Sequence, residues 1–298
     1  MADDPLPFFS PGNVVTLEID SRQRYTFTVE RLFTPLTKSV VVLARCAELS
    51  PDPVVLKIYD PRFFDERNGV PPNKHWEGFP SHPWSLAAER AAPDAIPYDQ
   101  YGIFSPGDPP AADDAEGQLA YAALHEAHYR KLMTDSFAVE RAAYEHLSHL
   151  QGTTLPRLLA SGRTIPPDER AFIPPAIAIE YIAGSRLRDA PLDALTPSVC
   201  TALVRAVDSF AAHDVIHDDF SDKNILVAPG RAVVVDFGNA AVRGVGYDWT
   251  DEEWKDSVSC CDDDGAIRYL LKRKGVTGIN DLLKHPREGS RGIPAIKS

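Results

Sequence analysis

Four polar side chains lie close together along the 298-residue chain: His217, Asp219, Asn224 and Asp236. The first three belong to the run Val215-Ile216-His217-Asp218-Asp219-Phe220-Ser221-Asp222-Lys223-Asn224-Ile225-Leu226. Asp236-Phe237-Gly238 begins twelve residues after Asn224. An imidazole, two carboxylates and an amide supply proton acceptors and hard oxygen donors, the kind that small divalent cations prefer. An isolated acid on a turn, or an Asp-Phe-Gly triplet alone, means little. All four residues at this spacing, flanked by apolar strands, are much harder to obtain by accident.

The flanking elements follow from residue pattern. Short β-branched runs at 225–228 and 232–235 are joined by Pro229-Gly230-Arg231, a tight-hairpin signature. Upstream, Thr196-Pro197 opens a helix with a threonine cap and a first-turn proline, carrying Val199, Leu203, Val207 and Phe210 on one face. Near the N-terminus, runs at 14–19, 25–29, 39–43 and 54–59 read as an antiparallel meander. A proline-rich stretch, about 60–114, reads as an insertion that wraps the surface or is partly mobile. Helical texture covers about 116–150, with a break expected near 134–136 and Gly152 as the stop. Strands are expected at 156–160, 171–173 and 177–181, and one acidic helix at about 251–274. No internal repeat is present.

The set His-x-Asp-x-x-x-x-Asn, then a hairpin, then Asp-Phe-Gly, resembles the catalytic loop and metal-binding motif of the protein-kinase superfamily. The resemblance implies ATP and Mg²⁺ as cofactors and phosphoryl transfer, which asks a protein for a positioned hydroxyl, a divalent metal and compensation of phosphate charge. Asp219 would then orient the acceptor hydroxyl and take its proton. Asn224 and Asp236 would hold Mg²⁺, and His217 would brace the loop. The strand Val54-Val55-Leu56-Lys57-Ile58 resembles the family's lysine-bearing strand, so Lys57 would contact the phosphates and pair with a helix glutamate. Glu140 is the chosen partner, with Glu145 as the alternative. The segment Ile177 to Gly184 resembles the hinge, where adenine would bond backbone groups near Glu180 and Ile182.

The chain also departs from that pattern. Phe33-Thr34-Pro35-Leu36-Thr37-Lys38-Ser39 stands where a glycine-rich phosphate loop would be and contains no glycine. Either Lys38, Ser39 and Thr37 substitute with side-chain donors, or nucleotide binds weakly. Asp218 replaces the arginine of many regulated kinases, and no Ala-Pro-Glu follows Gly238. These features resemble the atypical branch: aminoglycoside-phosphotransferase-like and choline-kinase-like enzymes, and the kinase-like proteins abundant in fungi. The runs 57–64, Pro83-Trp84-Ser85 and 144–152 are particularly similar to the fungal group.

Composition sets outer bounds. A net charge of −12 lacks the basic footprint of a nucleic-acid binder. The acidic start Met1-Ala2-Asp3-Asp4-Pro5 is not a signal peptide, and no stretch is apolar enough to span a bilayer. Four unpaired-looking cysteines indicate neither a disulfide framework nor a zinc knuckle, which fits a reducing, cytoplasmic compartment. His125-Glu126-Ala127-His128 has the wrong spacing for a zinc helix and reads as a solvated face. Cys260-Cys261-Asp262-Asp263-Asp264 reads as a solvent-facing acidic helix, and the four tryptophans as packing anchors.

The expected fold is α+β: a two-lobed protein-kinase-like fold with an antiparallel β N-lobe over 13–182, a reduced, mostly helical C-lobe over 183–284, and a polar tail over 285–298. Three functions follow from it: a protein Ser/Thr kinase; a small-molecule phosphotransferase, favoured by Asp218 and the missing Ala-Pro-Glu; and a pseudokinase that binds partners, favoured by the absent glycine loop. The partners expected are ATP and an acceptor that is either a protein or a small molecule, with no nucleic acid and no membrane.

Overall fold

A computed structural model describes residues 6–68, 81–100 and 102–278 of the chain. The N-terminal meander forms β1 (Val14–Glu18), β2 (Arg24–Phe33), β3 (Val40–Arg45) and β4 (Val54–Ile58). After two helices, α1 (Leu86–Ala91) and α2 (Ala115–His146), the chain adds β5 (Leu158–Ile165) and β6 (Pro175–Glu180). The six strands close into an antiparallel barrel in the order β1-β2-β3-β4-β6-β5. Closure leaves no strand edge unpaired, which the meander pattern alone did not imply. The fold is α+β, with the antiparallel sheet at the N-terminal side and helices after it.

Strand alternation assigns the two faces of β4. Val54, Leu56 and Ile58 join Leu17, Phe27, Val29, Val40 and Val42 inside the barrel. Val55, Tyr59 and, from β6, Ile177 and Ile179 instead pack with Ala143, Tyr144 and Leu147 of the α2 region. Lys57 belongs to this second face, so the barrel wall presents it to α2.

Helix α2 runs unbroken for 32 residues, which corrects the expected interruption near 134–136. The polar residues there do not compete with the helix: Thr134 donates its hydroxyl to the carbonyl of Arg130, and Lys131 pairs with Asp135. Such back-bonding keeps a threonine inside a helix. The stretch 171–173 forms no strand. Ladder pairing starts at Pro175, while β5 extends to Ile165 because β1 gives it a partner.

The expected surface insertion is also corrected in its described parts. Asp60, Arg62, Arg67 and Glu89 are buried, and Arg170 lies between Asp60 and Glu89. Arg62 and Arg170 each approach the ring of Trp84 to 5.5 Å. Paired charges can enter a core that single ones cannot, and this network ties the proline-rich stretch to the barrel. Trp76 lies outside the described residues. The His125–His128 face is buried rather than solvated: Arg67 makes a bidentate contact with Glu126 at 2.7 Å, and His82 stacks on His125.

The C-terminal half begins with β7 (Ser185–Arg186) and α3 (Pro197–Asp208), with Thr196 capping Val199 as the sequence indicates. It continues through β8 (Val215–Ile216), β9 (Ile225–Ala228), β10 (Arg231–Val234) and β11 (Ala241–Val242). β10-β9-β7 form one small sheet and β11-β8 another. Gly184 lets β7 approach β9, since a Cβ there would sit 2.5 Å from the carbonyl oxygen of Val227. The acidic C-terminal helix is two helices, α4 (Asp251–Cys261) and α5 (Asp263–Lys274), because Asp262 takes a left-handed conformation between them. Among the described residues no helix is long and apolar enough to cross a membrane.

Candidate active site

Lys57 projects from β4 into a group of acids drawn from distant parts of the chain. Its Nζ lies 2.5 Å from Oε2 of Glu140 on α2 and 2.6 Å from Oδ1 of Asp236. Tyr59, on the same strand face, donates its hydroxyl to the same Glu140 oxygen at 2.5 Å. Lys57 is only 8% exposed and Glu140 fully buried, so neither charge would be tolerated alone. Burial opposes the lysine charge, but the Asp236 and Glu140 carboxylates outweigh it and hold the ammonium above its ordinary pKa. Lys57 in turn holds Asp236 below the usual carboxylate range. Burial pushes Glu140 up, against the opposing pull of Lys57. The arrangement is a fixed cation with one ionised acid facing outward, since 49% of the Asp236 side chain remains exposed.

Asp236 is held in a left-handed conformation (φ 70°), which aspartate tolerates better than most residues. Phe237 is fully buried behind it, with ring centroids 4.7 Å from His217, 5.6 Å from Tyr144 and 5.8 Å from Phe210. The aromatic anchor thus sets where the adjoining carboxylate points.

The loop from His217 to Asn224 is bolted to that strand end. The backbone N–H of Asp219 donates to Nδ1 of His217, so Nε2 carries the proton and donates to the carbonyl of Val235 at 3.2 Å. The N–H of Val235 donates to the carbonyl of Asn224 at 2.9 Å. The Asn224 amide donates to the Asp219 carbonyl at 2.9 Å and to Asp219 Oδ2 at 3.1 Å. Its own Oδ1 has no described donor. The Asn224 amide oxygen and the Asp236 carboxylate are both hard-oxygen groups of the kind Mg²⁺ takes. Among the described residues there is no group of three or more His, Cys, Asp or Glu side chains placed to hold a metal.

The structure therefore brings Lys57, Glu140 and Asp236 into one cluster, and His217, Asp219 and Asn224 into a neighbouring one tied to the Asp236 strand. Glu145, the alternative partner, instead pairs with Arg141 on the exposed side of α2. Lys38 bonds Asn239, the residue after Gly238. Among the described residues, no hydrogen bond joins the side chains of Ser39, Glu180 or Ile182 to either cluster. Ser39 is buried at the start of β3, Ile182 packs with Ala228 and Val233, and the Glu180 carboxylate bonds Arg231 at 2.6 Å and the backbone N–H of Arg157.

Three further residues belong to the site, and the sequence reading missed them. Tyr59 shares the Lys57 face by simple alternation and was findable on that ground. Asn239 bridges Lys38 and Asp219. Asp263, expected on a solvated helix, accepts the backbone N–H of His217 at 2.6 Å and of Asp218 at 3.3 Å. Asp218 itself has φ 56°, which turns its N–H toward Asp263. Beside it, burial and a hydrogen bond to Asp218 push the Cys261 thiol up to about 12.

No protein-family model matches the chain, and no curated protein matches it in sequence. Among solved structures the chain is similar to the PknI kinase domain of Mycobacterium tuberculosis, crystallised as a mutant, with 15% sequence identity and a TM-score of 0.39. That similarity covers 82% of this chain and 70% of the other.

Proposed function

We propose that the chain is an ATP- and Mg²⁺-dependent phosphotransferase acting on an alcohol, with a protein Ser/Thr hydroxyl as the first acceptor to test. One observation carries the reading: a buried lysine holds Glu140 on one side and an outward-facing Asp236 on the other, beside a loop that presents Asp219 and Asn224. A fixed ammonium next to a hard-oxygen pair and a partly exposed carboxylate is what transfer of a phosphoryl group requires of a protein.

In this reading Lys57 contacts the α- and β-phosphates, and Glu140 with Tyr59 keeps it from swinging away. Asn224 and Asp236 would hold Mg²⁺, which when bound neutralises phosphate charge. Lys38 and Ser39 stand where the phosphate loop would lie. Backbone groups near Glu180 and Ile182 would receive adenine, and the Glu180 carboxylate holds that segment to Arg231. Asp219 accepts the hydrogen bond of the acceptor hydroxyl. As the hydroxyl oxygen bonds to the γ-phosphorus, the bond from phosphorus to the ADP oxygen breaks and the hydroxyl proton passes to Asp219. His217 contributes by holding the loop through its two ring nitrogens.

A small-molecule acceptor is the second reading. It is supported by the short span from Gly238 to the cap of α4 at Thr250, which leaves little chain to form a platform for a peptide. Transfer of labelled phosphate from ATP to a peptide library and, in parallel, to a pool of hydroxylated metabolites decides between them. Failure of millimolar ATP with Mg²⁺ to raise the melting temperature would falsify both.

A further inference from the structure

Lys38, in the segment between β2 and β3, donates to Oδ1 of Asn239, a residue 201 positions away. Asn239 donates through Nδ2 to Oδ2 of Asp219 at 3.3 Å. The Asn224 amide reaches the same oxygen at 3.1 Å. Asp219 therefore has two amide donors on one oxygen, and among the described residues none meets its Oδ1.

The direction of this chain of bonds is set at its two ends, by the Lys38 ammonium and the Asp219 carboxylate. An ammonium only donates, whereas an amide presents an acceptor at one end and donors at the other. By holding the carbonyl end of Asn239, Lys38 turns the NH₂ end toward Asp219. Without that hold the Asn239 side chain has no described anchor on its oxygen and is free to swing away from the carboxylate. We propose that Lys38 and Asn239 form a latch between the barrel and the catalytic loop, with Asn239 as a positioning residue for Asp219. The latch makes the orientation of Asp219 depend on whether the β2–β3 segment lies down over the site.

The role given to Asp219 rests on the phosphotransferase reading, but the latch has a readout of its own. Lys38 has three N–H donors and uses one on Asn239. The other two can meet phosphate oxygens without releasing the amide, so nucleotide need not compete with the latch.

The test begins with hydrogen exchange on the full chain without nucleotide. Lys38→Met should raise exchange in 217–224, and Asn239→Ala should raise it in 33–39, each change acting on the segment that was not altered. Lys38→Arg, which keeps a donor, should restore the protection. Unchanged exchange in both remote segments overturns the latch. Turnover supplies the second arm. Each single variant should lower kcat about tenfold, the order expected for one lost hydrogen bond in the transition state. The double variant should fall no further than the worse single one, with KM for ATP unchanged in Asn239→Ala. Multiplying losses overturn the positioning role. A chain that shows the exchange coupling but no turnover sinks the phosphotransferase reading and leaves the latch standing.

Discussion

Lys57 and Glu140 are 83 residues apart in sequence, and their charged groups meet at 2.5 Å in a region closed to water. The contact joins the barrel wall to α2 and leaves the lysine its second bond, to Asp236. Lys57→Met removes the cation and strands a buried carboxylate. Breaking such a pair costs on the order of 3–5 kcal/mol. Urea unfolding should show the loss. Glu140→Gln, which keeps shape without charge, should lose less stability but also weaken the ATP-dependent rise in melting temperature.

Asp218 and Asp219 are neighbours with opposite duties, and substitution should separate them. Asp219→Asn removes a proton acceptor that works in the transition state, and turnover should drop by about 10²–10⁴-fold. Nucleotide-induced thermal stabilisation should survive, because among the described residues Asp219 makes no hydrogen bond or ion pair with Lys57. Asp218→Asn should retain turnover: asparagine tolerates the left-handed conformation at this position, so the N–H toward Asp263 stays in place. Equal loss in the two variants would remove Asp219 from its role.

Asp263 holds two backbone N–H groups of the loop, at His217 and Asp218, from the first turn of α5. Asp263→Ala leaves both without an acceptor. Hydrogen bonds to a charged group contribute about 1.5–3 kcal/mol each, and neighbouring ones do not add fully. A stability loss of roughly 2–4 kcal/mol is expected, read by denaturant unfolding. Exchange should rise at 217–219 more than in the barrel strands. A surface-like loss below about 0.5 kcal/mol would mean that Asp263 does not hold the loop.

The elements that carry the candidate site were legible where motif and local pattern suffice. The lysine-bearing strand was singled out by its family resemblance, while a threonine cap and a proline marked α3, and the hairpin at Pro229-Gly230 set Asp236 beyond its second strand. What stayed hidden depends on distance along the chain. Asp263 looked like one acid among several, since nothing near it in sequence says that it caps a loop 46 residues earlier. Glu126 was read as part of a solvated face for the same reason: it is costly to bury until Arg67 is known to face it. Helix α2 was read as broken because threonine and serine are poor helix formers on average, while the packing of Met133 and Ser136 overrides propensity. Barrel closure needed the β1–β5 pairing, which joins residues near both ends of that half.

The histidines of α2 should make stability depend on pH. His125 is 7% exposed, and among the described residues neither of its ring nitrogens has a hydrogen-bond partner. His82 stacks on it at 3.6 Å, Phe104 and Tyr121 approach it edge-on, and Arg67 adds positive charge nearby. Burial, then the neighbouring His82, His128 and Arg67, lower its pKa to about 3. Burial and Lys131 lower that of His128 to about 4, with the ring stacked on Phe104 at 4.1 Å. The unfolded chain takes up these protons near the ordinary value of 6.5, and the folded chain does not until about 3 or 4. Between those limits the unfolded state binds more protons, so folding stability falls as pH falls. From pH 7 to pH 5 the loss should be roughly 1–2 kcal/mol for His125, and less for His128, which is more open to water and more screened. Urea titrations at the two pH values measure it. His125→Phe, which fills the same stack without a titrating group, should remove most of the pH dependence. If the variant and the parent lose the same stability between pH 7 and pH 5, the protons are taken up elsewhere.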